Sequence, residues 1–171
     1  MFMGKYFRDA TAFNQPLEAW DVGQVTDMSS MFIYAIAFNQ PLAAWNVSQV
    51  IDMGYMFAYA SLFIQPLEAW NVRQVTRMSS MFALQRAFNQ PLEAWDVSHV
   101  TNMDSMFAYA TAFNQPLEAW GASQVTRMSA MFSSASASSN QPLEAWDVRK
   151  VTLIDRIFRH ATSFDRPLVA S

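Results

Sequence analysis

The chain has 171 residues, of which 52% are hydrophobic and 15% aromatic, and its 15% of charged residues leave a net charge of −3. This composition excludes a disordered chain, which is poor in large apolar groups, and it argues against a nucleic-acid binder, which needs a basic surface. Because the chain has no cysteine, disulfides, thiolate metal sites and cysteine nucleophiles are also excluded.

One unit recurs along the chain at a fixed period. The motif Gln-Pro-Leu-Glu-Ala-Trp stands at Gln15–Trp20 and returns five times, once with Ala43 in place of glutamate. The tryptophans of these motifs are evenly spaced, apart from one added residue before the last of them: Trp20, Trp45, Trp70, Trp95, Trp120 and Trp146. A fixed period of this size is typical of stacked supersecondary units. We expect a single repeat domain over residues 1–171, taken from a longer array because the chain opens in the middle of a repeat.

Within one unit, the order of residues predicts a turn, a short extended segment and a short helix. The turn is indicated by Pro91, which has no backbone donor and disfavours helix in the residue before it. Trp95–Val97 fits a short strand with both side chains directed inward, although Pro91 to Trp95 also fits one helical turn with proline at its start. The helix is indicated by apolar residues at offsets of three and four, with Thr101 as its N-cap. These apolar residues are Val100, Met103, Met106, Phe107, Ala110 and Phe113.

These elements predict the fold class α/β. We expect a right-handed, leucine-rich-repeat-like solenoid of about seven 25-residue coils, with one short strand and one short helix in each coil. The alternative is an all-α solenoid in which Pro-Leu-Glu-Ala-Trp forms a second short helix.

The repeat resembles a known class at this point. Trp-Asp-Val-Ser, Val-Thr-x-Met, Met-Phe and Phe-Asn-Gln-Pro-Leu recur in one order at one spacing, and together they look like the BspA-like class of leucine-rich repeats. More closely, they resemble the 25-residue tryptophan-containing repeats of an uncharacterised family in bacterial surface lipoproteins and some microbial eukaryotes. The resemblance implies a surface or adhesion-type protein, and it is the only ground for a cell-surface or secreted location. It brings no catalytic residues.

Most recurring residues are expected to serve packing. The tryptophans share a face with leucine and valine, and isoleucine replaces methionine at Ile154 and Ile157, which keeps volume but not sulfur. The repeated glutamine and asparagine side chains are expected to form a hydrogen-bonded ladder, with Ile64 as a gap in the asparagine column.

A smaller set of polar residues is predicted to be exposed. Asp21, Asn46, Asn71 and Asp96 follow the tryptophans and should point outward, and Arg73 and Arg77 add charge nearby. We take these six as candidate surface-binding residues. The mixture of aspartate and asparagine, with no calcium loop, argues against a metal site. No cofactor motif appears, and one column of equal glutamates does not supply the two differing carboxyls that acid–base catalysis needs.

The two ends of the array differ in charge. Residues 1–70 carry two basic and six acidic residues, a net −4, whereas residues 149–171 carry five basic and two acidic residues, a net +3. The candidates for association through the ends are Phe2, Met3, Tyr6 and Phe7 at one end, and Arg156, Arg159 and Arg166 at the other. An apolar end with unpaired backbone groups favours pairing with another chain.

The sequence therefore predicts a non-catalytic repeat scaffold for protein–protein interaction or surface adhesion. The alternative is a structural rod that associates with itself through the solenoid ends. The expected partner is a protein, or a second copy at the ends. No nucleic acid, cofactor or enzyme activity is expected, and no run of about 18 apolar residues predicts a membrane span.

Overall fold

The computed structural model describes residues 1–135 and 143–162. Within these residues the only helix is a 3₁₀ segment, Glu118–Trp120, and strand pairing is limited to isolated bridges. The predicted α/β solenoid is therefore wrong, because the described coils contain neither the expected strand nor the expected helix. The all-α alternative is wrong for the same reason.

Each repeat instead forms a coil of turns and extended residues that pairs with the next coil through one parallel bridge. The bridges join Phe2 to Asp27, Asp27 to Asp52, Asp52 to Arg77, Arg77 to Asn102, Asn102 to Arg127 and Arg127 to Leu153. From Asp27 onward, each bridging residue comes directly after the position that threonine occupies in most coils. The bridges do not involve Trp95–Val97, where we predicted the strand, and those residues form no strand.

The segment predicted as a helix is a series of turns. The N–H groups of Met103, Ser105 and Phe107 donate to carbonyls one coil further along, at 2.8 to 2.9 Å, whereas those of Met106 and Ala108 close turns onto the residues three positions before them. An α-helix would direct each N–H to the carbonyl four residues before it. Here alternate N–H groups connect the coils, so the backbone satisfies its hydrogen bonds between repeats rather than within one.

In each coil, two residues have a left-handed backbone conformation that prevents the segment from forming a helix. Ser105 has a φ of 55° and Tyr109 a φ of 60°, and the other coils repeat this left-handed pair four residues apart. A left-handed residue interrupts a right-handed helix because its positive φ turns the backbone in the opposite sense, so the hydrogen bonds to the carbonyl four residues before cannot continue. The apolar offsets misled the helix prediction because a series of short turns also returns side chains to one side every three or four residues.

The burial pattern itself was predicted well. Val100, Met103 and Phe107 are fully buried, and five of the six tryptophans are buried, with Trp20 of the first coil half-buried. Rings from successive coils stack: the centroids of Phe82 and Phe107 lie 5.7 Å apart. The structure therefore confirms the core role predicted for the tryptophan and methionine columns, except in the last coil, where Ile154 is exposed and Ile157 is half-buried.

The fifth repeat departs from the others where Gly121 and Ala122 replace the usual Asp-Val pair. Both residues are left-handed, with φ of 61° and 52°, and the 3₁₀ segment ends at this point. No coil in the described residues forms the predicted short strand, so the replacement changes a turn instead.

Candidate interaction surfaces

The tryptophan column connects neighbouring coils by hydrogen bonds as well as by packing. The Nε1–H of Trp95 donates to the carbonyl of Leu67, in the preceding coil, at 2.9 Å. The backbone N–H of Trp70 donates to the same carbonyl at 3.0 Å. The same indole bond is made by Trp45, Trp70, Trp120 and Trp146, each at 2.9 Å. Each indole is thus satisfied inside the stack and offers no polar atom to a ligand.

The predicted amide ladder is present. The Nε2 of Gln40 donates to both the backbone carbonyl and the Oδ1 of Asn14 at 3.1 Å, and the backbone N–H of Asn39 donates to the same Oδ1 at 2.9 Å. Gln65 and Gln115 repeat the pattern one and three coils later. In the described part of the chain, Gln90 makes no such bond, because the preceding coil carries Ile64 in place of asparagine.

We expect Ile64→Asn to raise the free energy of unfolding by about 0.5–1.5 kcal/mol, because it supplies the acceptor that Gln90 and the N–H of Asn89 lack. The measurement is urea unfolding in dilute solution. In a Gln90→Ala background most of the gain should vanish. An equal gain in both backgrounds would contradict the ladder as its cause.

The threonine column caps no helix. The hydroxyl of Thr101 donates to the carbonyl of Thr76, one coil earlier, at 3.2 Å, and Thr126 repeats this toward Thr101 at 3.1 Å. The N-cap role predicted for Thr101 is therefore wrong. Ile51 interrupts this column and is exposed.

The predicted outward-facing column is exposed, and its side chains also accept hydrogen bonds from the backbone. The Oδ1 of Asp21, Asn46, Asn71 and Asp96 each accepts the backbone N–H two residues ahead, at 3.0 to 3.2 Å. For Asp96, hydrogen bonds from the Ser98 side chain and backbone lower the pKa of the carboxyl. These four candidates form short local turns, which leaves their second polar atom at the surface.

The two candidate arginines lie in ion pairs with neighbouring coils. The Nε of Arg77 donates to the Oδ2 of Asp52 at 2.9 Å, and the Nε of Arg73 lies 3.7 Å from the Oδ2 of Asp96. Exposed pairs of this kind contribute little to stability. They partly neutralise the charge that we expected to be offered to a partner.

Asp147 is a half-buried carboxyl whose pKa is lowered by the neighbouring Arg149. Arg149 donates to both of its oxygens, at 2.8 and 2.7 Å, and this hydrogen bonding lowers the pKa of Asp147 to about 2. We expect Arg149→Gln to return the Asp147 pKa toward 3.8, as read by an NMR titration of the side-chain carboxyl.

The sign of the linkage follows from that lowered pKa. Because the folded pKa lies below the unfolded one, the stabilisation is present above about pH 4 and is lost as the pH falls toward 2. In the Arg149→Gln variant most of this acid-sensitive part of the stability should be lost, because only the backbone N–H at position 149 still donates to Asp147. An unchanged Asp147 titration in that variant would contradict the assignment.

The residues predicted to mediate association through the ends differ in their exposure. Phe2 and Tyr6 are exposed, Phe7 is half-buried, and Met3 is buried and therefore not available as a contact. At the other end Arg156 and Arg159 are exposed, and Arg166 lies outside the described residues.

An exposed apolar surface that the sequence analysis missed lies on the second and third coils. We call it the corner patch and define it by Tyr34, Ile36, Tyr59, Leu62 and Ile64. The exposed fractions are 43% for Ile36, 37% for Tyr59, 56% for Leu62 and 42% for Ile64. The N–H of Leu62 donates to the carbonyl of Ile36 at 3.3 Å, and the rings of Tyr34 and Tyr59 stack 4.3 Å apart, so two contacts join the second and third coils within the patch.

A sequence signal for the patch exists in the departures from the repeat. At the columns of Ile36, Leu62 and Ile64, the fifth coil carries Thr111, Ala112 and Asn114. Three small or polar positions therefore become large and apolar in two adjacent coils. The alignment of repeats shows each replacement, but only the folded coil shows that the three side chains share one exposed corner.

The fourth coil is irregular beside this patch. Gln85 takes a column held by Ala60 and Ala110, is fully buried, and donates its Nε2 to the carbonyls of Phe57 and Ala60. Its Oε1 is buried without a hydrogen-bond partner. Such an orphaned acceptor is destabilising, so the corner where the third and fourth coils meet is less well satisfied than its counterparts.

The described residues contain no group of three or more histidines and acids placed to hold a metal ion, and no helix among them is long and apolar enough to cross a bilayer. The repeated polar side chains are instead occupied in contacts between coils. What the surface offers chemically is the corner patch, the exposed ends and the outward column.

The fold and these contacts define a tandem-repeat protein whose coils are joined by backbone bridges, stacked aromatic rings and side-chain ladders. The chain belongs to the family described as "Mycoplasma protein of unknown function, DUF285", whose profile matches residues 1–95 and again residues 63–170. No curated protein and no solved structure matches the chain.

Proposed function

We propose that the chain is a non-catalytic repeat scaffold that binds another protein through its lateral surface. The observation that carries this proposal is the corner patch, where the described coils exchange small or polar residues for exposed large apolar ones. Isolated exposed apolar residues are ordinary, but a contiguous group is typical of an interaction site. The resemblance to BspA-like leucine-rich repeats and a role in surface adhesion belong to this proposal.

A variant that restores the repeat at the corner tests the proposal. It carries Ile36→Thr, Leu62→Ala and Ile64→Asn, each residue being one that other coils hold in the same column. We expect a protein captured by the wild-type chain from its source cells to be lost by this corner variant. Ile51→Thr is the matched control, since it restores the repeat at an exposed isoleucine outside the patch.

Three results distinguish the possibilities. Capture that depends on the patch and survives Ile51→Thr supports the scaffold. A partner retained by the corner variant and lost when Arg73 and Arg77 are changed to glutamate would place binding on the column candidates instead. No captured partner under either condition, together with a chain that stays monomeric, would contradict the binding proposal.

Association through the ends is the second candidate. In the stack, N–H groups of one coil donate to carbonyls of the next, as Met3 does to Asp27 at 2.9 Å. The carbonyls of Phe2, Gly4 and Tyr6 have no donor among the described residues, and Ile154 and Arg156 occupy the donor positions of the last described coil. One end therefore offers acceptors and the other donors, an arrangement that permits head-to-tail addition.

Phe2→Asp together with Ile154→Lys tests the second candidate. Aspartate is the residue that Asp27 and Asp52 supply in the column of Phe2, and lysine places charge on the apolar end at Ile154. If the ends associate, the mass of the wild-type chain should rise continuously with concentration and the double variant should stay monomeric. A wild-type mass that is independent of concentration would exclude this candidate.

A further inference from the structure

We propose that the corner patch pairs with the corner patch of a second copy of this chain, giving a closed, two-fold dimer. This inference rests on the proposed protein-binding function and names the partner. It concerns the side of the stack, whereas the association considered above concerns its ends.

The first step is that the fold does not require the patch. The first coil holds Thr11, Ala12 and Asn14 in its three columns and forms the same turns. Ile64 even removes an internal acceptor that asparagine supplies in the neighbouring coils. Ile64 therefore weakens the isolated stack, and the exposed apolar groups of the patch gain free energy when another surface removes them from water.

The second step is the charge around the patch. Residues 28–51 and 53–67 contain no lysine, arginine, histidine, aspartate or glutamate, and Ala43 interrupts the glutamate column. The nearest charges lie at the edges of the patch, where Arg8 pairs with Asp9 beside Tyr34 and where Arg86 holds the column of Ile36 in the fourth coil. Over the patch itself a charged partner would find no opposite charge, and its own charges would lose water without compensation. Electrostatic complementarity therefore favours an equally uncharged apolar surface.

The third step identifies that surface. A second corner patch is of the same extent and is itself uncharged, so the two patches bring no like charges into direct contact. In a two-fold arrangement the patch of each copy contacts the patch of the other. One association therefore covers both patches, and the assembly closes at two copies. The stacked rings of Tyr34 and Tyr59 supply large flat contact area beside the aliphatic groups.

Sedimentation equilibrium over a range of concentrations tests the proposal with the full chain. We expect the wild-type mass to rise from 19.4 kDa to twice that value and to stop there. The corner variant should weaken the dimer at least tenfold, whereas Ile51→Thr should leave it unchanged. Because apolar contacts are not weakened by screening, the dimer should persist at about 1 M salt.

The corner variant should remain folded, since Thr, Ala and Asn are the residues of intact coils, and its near-ultraviolet spectrum should match the wild type. A wild-type chain that stays monomeric, or a dimer that the corner variant leaves unchanged, would overturn the inference. Growth beyond two copies that Phe2→Asp with Ile154→Lys abolishes would overturn it in favour of the ends. A monomeric wild type that still captures a different protein through the patch would overturn the self-pairing while leaving the proposed function intact.

Discussion

Trp95→Ala is expected to lower the free energy of unfolding by about 3–5 kcal/mol, the range for deleting a large buried ring. Trp95 is buried in the middle of the stack, its ring lies parallel to those of Trp70 and Trp120, and its Nε1 bonds the carbonyl of Leu67. The substitution leaves a cavity, breaks the ring stack on both sides and removes a hydrogen bond between coils. The measurement is chemical unfolding followed by far-ultraviolet spectroscopy.

Two further variants separate the packing from the hydrogen bond. Trp95→Phe keeps an aromatic ring but has no donor. The lost hydrogen bond is worth only about 0.5–1.5 kcal/mol, because the Leu67 carbonyl still accepts the N–H of Trp70. Trp95→Phe should lower the free energy of unfolding by more than this bond alone. Trp20→Ala is the positional control, since Trp20 is half-buried in the first coil. Equal losses at positions 20 and 95 would show that the connection between coils does not govern stability.

Ser105→Val should lower the free energy of unfolding by about 2–3 kcal/mol, whereas Ser105→Gly should raise it by about 0.5–1 kcal/mol. Ser105 has a φ of 55°, a left-handed conformation that a β-branched residue adopts only with strain and that glycine adopts freely. The chain contains only 4 glycines, so serine, tyrosine, leucine and alanine occupy most left-handed positions and leave strain that glycine relieves.

Ser98 is the matched control for this pair, because it is an exposed serine whose φ is not in the left-handed region. Glycine should not stabilise the protein there, and valine should change stability by no more than about 0.5 kcal/mol. The two positions are compared by thermal and urea unfolding. The same response at Ser98 and Ser105 would contradict backbone conformation as the cause.

The stability predictions for Trp95 and Ser105 are relevant to the proposed binding because they concern how rigidly the coils are stacked. The corner patch spans the second and third coils, so its side chains share one surface only while the coils keep their register. That register is held by the bridges, the tryptophan bonds and the amide ladder. If the chain binds through the patch as proposed, a variant that weakens the coupling between coils near it should reduce that binding, even when it touches no residue of the patch.

Part of this architecture could be predicted from the residues. A short repeated unit with apolar side chains in fixed columns requires stacking, because one coil alone cannot bury its own tryptophan, methionine and phenylalanine. The ladder and its gap at Ile64 followed from the same columns, since amides placed one above another can bond to each other.

The secondary structure could not be predicted in this way. Spacings such as Met103, Met106 and Phe107 suit both a helix and a series of turns, and the left-handed residues that decide between them carry no turn signature. The choice depends on carbonyls supplied by the following coil, which take up alternate N–H groups. A local pattern contains no information about acceptors that lie a full coil away.

The residue pattern alone therefore established the period, the buried columns and the amide ladder, because these depend only on which residue types recur. The packing of the coils established the turns, the connecting role of Trp95 and the exposed corner formed by Ile36, Leu62 and Ile64. Each of these depends on how one coil lies against the next, and that arrangement is settled by hydrogen bonds between coils rather than by the preferences of any single segment.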